Sequence, residues 1–226
     1  MEKSPAAQST RSASSLTEVH SHHHQEDAHL QSKMKTISTL DTARSGATAL
    51  ALGMGLAVLG TAGNTLRVYD TTRSDDPRDI LSLWPANFNI KPTVALVVGS
   101  VFVVLASIVS LAFARVTSLR TKQTPAFSLG APVIGLIASL IAIIFFYAVN
   151  ASETTDTFAS WTCRWKKVPM SQAPHWDTLC GQSYAGIYLA ILLVPVEAAV
   201  LGLAVFQKKA ERYTERYEGA KKSPAL

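Results

Sequence analysis

The chain has 226 residues, 48% of them hydrophobic, and a formal net charge of +5 at pH 7. This length leaves room for one helical bundle with tails at its ends. The charge does not indicate nucleic-acid binding, because the Lys and Arg residues flank apolar runs and form no patch interleaved with aromatic side chains. We therefore interpret the basic residues as determinants of membrane topology.

The N-terminal tail, residues 1–40, is rich in Ser, Thr, Gln and His and has almost no large apolar side chain. Such a segment cannot bury enough surface to offset its chain entropy, so we predict a disordered tail. No apolar core follows the early basic residues Lys3 and Arg11, which argues against a cleaved signal peptide. The first apolar run is then expected to act as an uncleaved signal anchor.

The tail carries the one metal-like feature of the sequence, a cluster of histidines. Imidazoles bind Zn²⁺ or Ni²⁺, but structural zinc sites hold their ligands in a fixed tetrahedral geometry, usually with Cys among them. Nothing in this polar tract fixes the rings. We therefore predict a solvated tract and no metal site, with a physiological metal site as the alternative. The histidines are His20, His22, His23, His24 and His29.

Four apolar runs follow the tail, and each has the roughly 20 residues that a helix needs to cross a membrane. They are apolar all round, whereas a helix of a soluble protein would carry a polar stripe at the 3.6-residue period. The sequence therefore predicts an all-α fold, a four-helix transmembrane bundle in residues 41–207; a large soluble four-helix protein is the alternative. The predicted spans are 45–66, 92–114, 126–149 and 184–206.

The first loop between the spans has two interpretations. Asp76 and Pro77 are favoured at the start of a helix, and apolar residues continue to Trp84 before the helix breaker Pro85. This pattern is typical of a short helix that lies flat at the headgroup level with a Trp at its end. An irregular loop packed onto the bundle is the alternative.

The third loop holds both cysteines of the chain, Cys163 and Cys180. The compartment on the non-cytoplasmic side is oxidising, so a single disulfide is the simplest interpretation, with two free thiols as the alternative. A zinc site is disfavoured, because two thiols and His175 would supply only three ligands.

Glu197 is the only acidic or basic residue inside the four predicted spans. An acid near the bilayer centre costs about 2.5–3.5 kcal/mol on insertion scales, so it normally faces protein or water and is a candidate functional residue. Pro195, two residues earlier, removes a backbone donor and leaves the Ile191 carbonyl without its usual partner. Small and hydroxyl-bearing residues at similar predicted depth are expected to pack beside the acid: Gly53, Ser107, Gly135 and Ser139.

Lys and Arg are more frequent beside the first span, in the second loop and in the C-terminal tail than in loops one and three. The positive-inside rule therefore places both termini in the cytoplasm. Residues 208–226 keep good helix formers, which predicts that the fourth helix continues as a basic cytoplasmic tail. Four of its basic residues are candidates for contact with anionic lipid headgroups: Lys208, Lys209, Arg212 and Arg216.

Short motifs accompany the spans, namely Leu83-Trp84-Pro85, Trp161-Thr162-Cys163, Cys180 and Pro195-Val196-Glu197. With four spans, short loops and a cysteine pair in the second exoplasmic loop, the chain resembles MARVEL-type tetraspan proteins and is similar to four-span proteins of filamentous fungi. Claudin-like tetraspans carry their cysteine pair in the first exoplasmic loop, where this chain has none. The resemblance implies a role in membrane apposition, vesicle traffic or lateral membrane domains.

These features predict a non-enzymatic tetraspan protein that scaffolds membrane domains or partner proteins, at the plasma membrane or in the secretory pathway. No Ser/His/Asp set, metal box or phosphate loop converges on one membrane face, so we expect no catalysis, no cofactor and no small-molecule substrate. The expected partners are membrane lipids and other membrane proteins, including further copies of the chain. The alternative function is a small transporter or channel subunit that works through Glu197, which is otherwise expected to bond helices together.

Overall fold

The structure is a computed structural model that describes the backbone of residues 9–73, 83–85, 87–115, 125–151 and 155–222. Side chains are described for residues 35–36, 38–73, 83–85, 87–115, 129–151 and 155–213. The predicted all-α fold is confirmed, since the described residues form five helices and no strand. The helices are α1 (Ser9–Thr72), α2 (Lys91–Arg115), α3 (Pro125–Asn150), α4 (Phe158–Trp165) and α5 (Trp176–Lys222).

Four of these helices are long and apolar enough to cross a membrane, as predicted. The helical stretches extend past most of the predicted span ends, because a helix that leaves the hydrocarbon layer keeps its internal backbone hydrogen bonds. The chain is thus a multi-pass integral membrane protein. Its spans lie within Ser38–Thr72, Lys91–Arg115, Leu129–Asn150 and Trp176–Tyr213.

Residues 43–208 form one compact unit, and residues 1–42 with 209–226 form another. α1 begins at Ser9, so the backbone of most of the N-terminal tail is helical. Disorder of residues 1–40 stays a prediction. The side chains of the five histidines lie outside the described residues. The predicted helical C-terminal extension is confirmed by α5, which continues to Lys222.

One face of α1 is buried at every third or fourth position within the unit of residues 43–208. It runs from Thr48 and Ala51 through Gly55 and Val58 to Ala62. This spacing is that of a helix with one stripe turned toward its neighbours. The bundle therefore has a fixed interior side on α1, and the other sides of that helix face the membrane.

The apolar interior has two layers within the span region. The first contains Ala51 of α1, Val103 of α2 and Leu193 of α5. The second lies farther toward loops one and three and brings all five helices together. It consists of Val58, Ala62, Leu96, Ala142, Phe146, Ala159, Ile187 and Ala190.

α2 and α3 approach each other closely at Gly99. A Cβ atom on Gly99 would lie 2.7 Å from the Cβ of Ala142 and 3.2 Å from the backbone oxygen of Ala138. Close approach through small residues is the usual way for membrane helices to gain packing contacts, because lipid supplies no hydrophobic drive between them. The absence of a side chain at Gly99 therefore sets the distance between α2 and α3.

At the end where α2 and α5 begin, five aromatic rings form a cluster, here called the aromatic cap. Contacting ring centroids lie 4.8–5.7 Å apart, mostly in edge-to-face arrangements. The rings come from the end of α1, the first loop, and the starts of α4 and α5. They belong to Tyr69, Trp84, Phe88, Phe158 and Trp176.

For Trp84 the structure favours the second interpretation of loop one, a segment packed onto the bundle. The indole is buried, and its Nε1–H donates a hydrogen bond to Thr72 Oγ1 at 3.0 Å. An indole lying flat among lipid headgroups would keep one side exposed. Residues 74–82, which carry the rest of the predicted short helix, lie outside the described residues.

α4 is fixed to the helices before and after it. Thr157 and Ser160 form a capping box at its start, with the Thr157 backbone N–H donating to Ser160 Oγ at 2.9 Å. Thr157 Oγ1 also donates to Asn150 Oδ1 at the end of α3, at 2.8 Å. The predicted disulfide joins Cys163 to Cys180 of α5, with a Cα–Cα distance of 4.9 Å that is usual for such a bridge.

Candidate functional site

Glu197 of α5 points into the bundle and is only 3% exposed. The carboxyl group lies against Gly135 of α3, where a Cβ atom would meet Glu197 Oε2 at 2.7 Å and Oε1 at 3.0 Å. Gly135 therefore leaves the volume that the carboxyl group fills. These two residues, which were predicted to lie together, are in contact because Gly135 has no side chain to occupy the space of the Glu197 carboxyl group.

A small cavity with a mixed polar and apolar lining adjoins the carboxyl group. Its volume is about 10 Å³, at the lower limit for one water molecule. Three hydroxyl-bearing residues line it together with Glu197: Thr48 of α1 and Ser107 and Ser110 of α2. Ser107 was predicted to lie beside the acid, and the structure places it there.

Glu197 Oε1 is buried and has no hydrogen-bond partner among the described residues. A buried polar atom without a partner costs about 1–3 kcal/mol, so such atoms normally bond to protein or to ordered water. The neighbouring cavity offers a place for one water that would donate to this oxygen. The site can therefore bond three helices through a carboxyl group, hydroxyl groups and a single water.

The other predicted residues do not line this cavity. Gly53 is exposed, and a Cβ atom built on it meets nothing within 4 Å. Ser139 is buried but donates its hydrogen bond to the backbone oxygen of Leu136 at 2.9 Å, and it does not line the cavity. Pro195 lies on an exposed part of α5, which continues through it without a break.

No family model, curated protein or solved structure matches this chain. What the site can do follows from its own chemistry. Among the described residues, no group of three or more His, Cys, Asp or Glu side chains could hold a metal ion. The chemistry that these residues offer is hydrogen bonding by one enclosed carboxyl group.

Sequence reasoning missed Thr48, because attention to small residues favoured Gly53 on the same helix. The buried face that includes Ala51, Gly55 and Val58 continues to Thr48 by helical spacing and excludes Gly53. Asking which face of α1 carries its β-branched residues would have identified Thr48.

The basic residues predicted to contact lipid headgroups differ in exposure. Lys209 and Arg212 are exposed, and Lys208 is half-buried. The side chain of Arg216 lies outside the described residues. Contact of these four residues with anionic headgroups stays a prediction.

Gly135→Ala is expected to lower the free energy of unfolding by about 1–3 kcal/mol, the usual cost of overpacking. The new methyl group would displace the Glu197 carboxyl group, which can retreat only into a cavity of about 10 Å³. In a Glu197→Ala background the same substitution should cost little, because the carboxyl group is gone. Unfolding in detergent micelles, measured as a double-mutant cycle, checks this coupling.

Gly53→Ala is the matched control, since the added methyl group would meet open space. It should leave stability unchanged within a few tenths of a kcal/mol or raise it slightly through helix propensity. Equal cost of Gly135→Ala in both backgrounds would show that the carboxyl group does not fill the space beside Gly135.

Proposed function

We propose that this chain is a non-enzymatic tetraspan scaffold of MARVEL type, which organises membrane domains or partner proteins. Outward-facing helix surfaces and the disulfide-closed third loop would supply its contacts. The protein would lie at the plasma membrane or in the secretory pathway, with both termini in the cytoplasm. The basic flanks of the first span and of α5 support this orientation.

The enclosure of Glu197 is the observation that carries the proposal. Gly135 and a cavity of about one water surround the only charged residue inside the predicted spans. Two buried apolar layers, one at Val103 and one at Phe146, separate it from the aromatic cap. Polar residues beside the second layer, among them Thr65, Thr93 and Ser183, line a separate cavity of about 10 Å³, but none of the residues that line it is charged, which favours a structural role for the acid.

The remaining apolar surface supports a role in contact. Large hydrophobic side chains on all four spans are exposed, and the buried share of each span is small. In a membrane such faces contact either lipid or the helices of other proteins. Small differences in packing free energy between these two kinds of contact decide which one forms. A protein with a closed interior and wide outer faces is suited to association.

A transporter or channel subunit is the second candidate. One observation favours it, namely the buried Glu197 oxygen without a hydrogen-bond partner among the described residues. A buried carboxyl group with an oxygen that bonds to no protein group can exchange a proton with a single neighbouring water.

Liposome flux separates the two candidates. We expect purified protein in liposomes with an internal pH-sensitive dye to pass no more protons than empty liposomes, in the wild type and in Glu197→Gln alike. Ser139→Ala, which removes a buried hydroxyl group outside the cavity, is the matched control. Proton flux that depends on Glu197 would reject the scaffold.

The same proteins should be compared in cells by proximity labelling from a biotin ligase on the C-terminal tail. The scaffold predicts a reproducible set of labelled membrane proteins that Glu197→Gln leaves unchanged as long as the bundle stays folded. Labelling no different from that of an unrelated four-span protein would contradict it.

A further inference from the structure

An apolar groove runs along the outside of the bundle between α2 and α3. Its volume is about 750 Å³, which is within the range of small-molecule sites. The close contact between Gly99 and Ala142, both buried, forms its floor. Phe102 and Ile141 stand on its walls and are 50% and 61% exposed. The groove is thus open to the membrane and closed toward the interior.

The groove is as long as one leaflet of the bilayer. It extends from Lys91 to Phe102 on α2 and from Phe145 to Ile134 on α3, and each stretch rises by roughly 17 Å. Half of the hydrocarbon layer is about 15 Å thick. A transmembrane helix of a partner would cross both leaflets and continue past Phe102. The dimensions therefore fit a lipid of the leaflet on the side of the aromatic cap.

Lys91 lies at the mouth of the groove and is the only charged residue among the described residues that line it. It is the first residue of α2 and is exposed. Its ammonium group favours an anionic group such as a phosphate at this point. The other lining residues are apolar, so the groove has one end suited to a phosphate and a body suited to a hydrocarbon chain.

We propose that this groove binds one phospholipid of the cap-side leaflet. One acyl chain lies between α2 and α3 above the Gly99 floor, and the phosphate lies at the Lys91 ammonium group. This site is separate from Glu197 and does not depend on whether the chain is a scaffold. It gives the outer surface of the bundle one position with a chemical preference among membrane lipids.

A photoreactive lipid tests the position of the acyl chain. The full chain is reconstituted in phosphatidylcholine vesicles with a small fraction of phosphatidylglycerol that carries a diazirine in one acyl chain. After irradiation, the labelled residues are mapped by mass spectrometry. We expect most labels within 94–102 and 134–145. Labels spread evenly over the exposed faces of all four spans would overturn the proposal.

Filling the groove gives a second readout. Val98→Trp adds bulk on the α2 wall and should lower labelling of the groove several-fold. Ile144→Trp, at an exposed position of α3 that does not line the groove, is the matched control and should leave labelling unchanged. Ile137→Trp on the facing wall serves if Val98→Trp does not fold. Groove labelling that neither filling variant reduces would contradict binding there.

Charge removal tests the headgroup. Lys91→Gln should lower phosphatidylglycerol labelling about fivefold, as expected for one lysine near the membrane surface. Lys166→Gln, at an exposed lysine on the same side of the bundle, should have no effect. Labelling that is the same in Lys91→Gln would overturn the phosphate assignment. A photoreactive sterol that labels the groove better than phosphatidylglycerol, regardless of Lys91, would replace the phospholipid as the occupant.

Discussion

Phe158→Ala is expected to lower the free energy of unfolding by about 3–5 kcal/mol, as for other large buried aromatic residues. Phe158 is 2% exposed and lies in the middle of the aromatic cap. Its ring contacts those of Phe88, Trp84 and Tyr69 at centroid distances of 4.8, 5.6 and 5.7 Å. Truncation would leave a cavity and remove three ring contacts that connect α1, the first loop and α4.

The effect should extend beyond the position of the ring. Phe88 also forms an isolated β-bridge with Asp156. There the Asn89 backbone N–H donates to the backbone carbonyl oxygen of Asp156 at 2.9 Å. Loss of the neighbouring ring should loosen this connection, so hydrogen exchange of the Asn89 amide should become faster in Phe158→Ala. Unfolding in detergent and hydrogen exchange together measure the predicted change.

Trp165→Ala is the matched control on the same helix. This aromatic residue is 41% exposed, so its loss should cost much less than that of Phe158. Similar losses for the two variants would show that the aromatic cap does not contribute to stability as a packed unit.

The spans and the disulfide could be predicted from the sequence because each depends on composition. A run of about 20 apolar residues has few structures open to it other than a membrane helix. A pair of cysteines in one short loop likewise has few possible disulfide partners. Neither prediction requires knowledge of how one helix is rotated against another.

Helix rotation is what the sequence left undetermined. α1 offers Gly53 and Gly55 two residues apart, and only Gly55 turns toward α2, where a Cβ atom would lie 3.1 Å from Val104. Small residues at four-residue spacing occur on several faces of these helices, so spacing alone could not choose between them. Glu197 was visible as a charge in an apolar run and Gly135 was predicted from its depth, but the choice of Thr48 over Gly53 on α1 depends on rotation.

The aromatic cap was hidden for a different reason. Its rings come from positions far apart in the chain, from Tyr69 to Trp176, and two of them, Trp84 and Phe88, lie in a loop without regular periodicity. An aromatic residue near a membrane end is expected at the lipid interface, where its polar edge meets water. In this chain those rings pack on one another, because the first loop and α4 fold back over the end of the bundle.

Removing the disulfide is expected to cost about 3 kcal/mol, the value that the loop-entropy model gives for a loop of this size. Cys163 and Cys180 are 17 residues apart and join α4 to the start of α5. Either single substitution, Cys163→Ser or Cys180→Ser, should cost nearly as much as both together, since each breaks the same bond. Unfolding of the three variants in detergent, without reductant, measures the loss.

A reducing agent supplies the control for this prediction. Reductant should lower the stability of the wild-type protein by about the same amount and leave the double variant unchanged, because that variant has no cysteine. Cys180 is buried next to Leu179, which packs in one apolar cluster with Phe158 and Trp176 of the aromatic cap, so part of the loss should come from the cap rather than from chain entropy. If so, Phe158→Ala should cost less in the double cysteine variant than in the wild type. Additive costs would instead mean that the bridge and the cap stabilise the bundle independently.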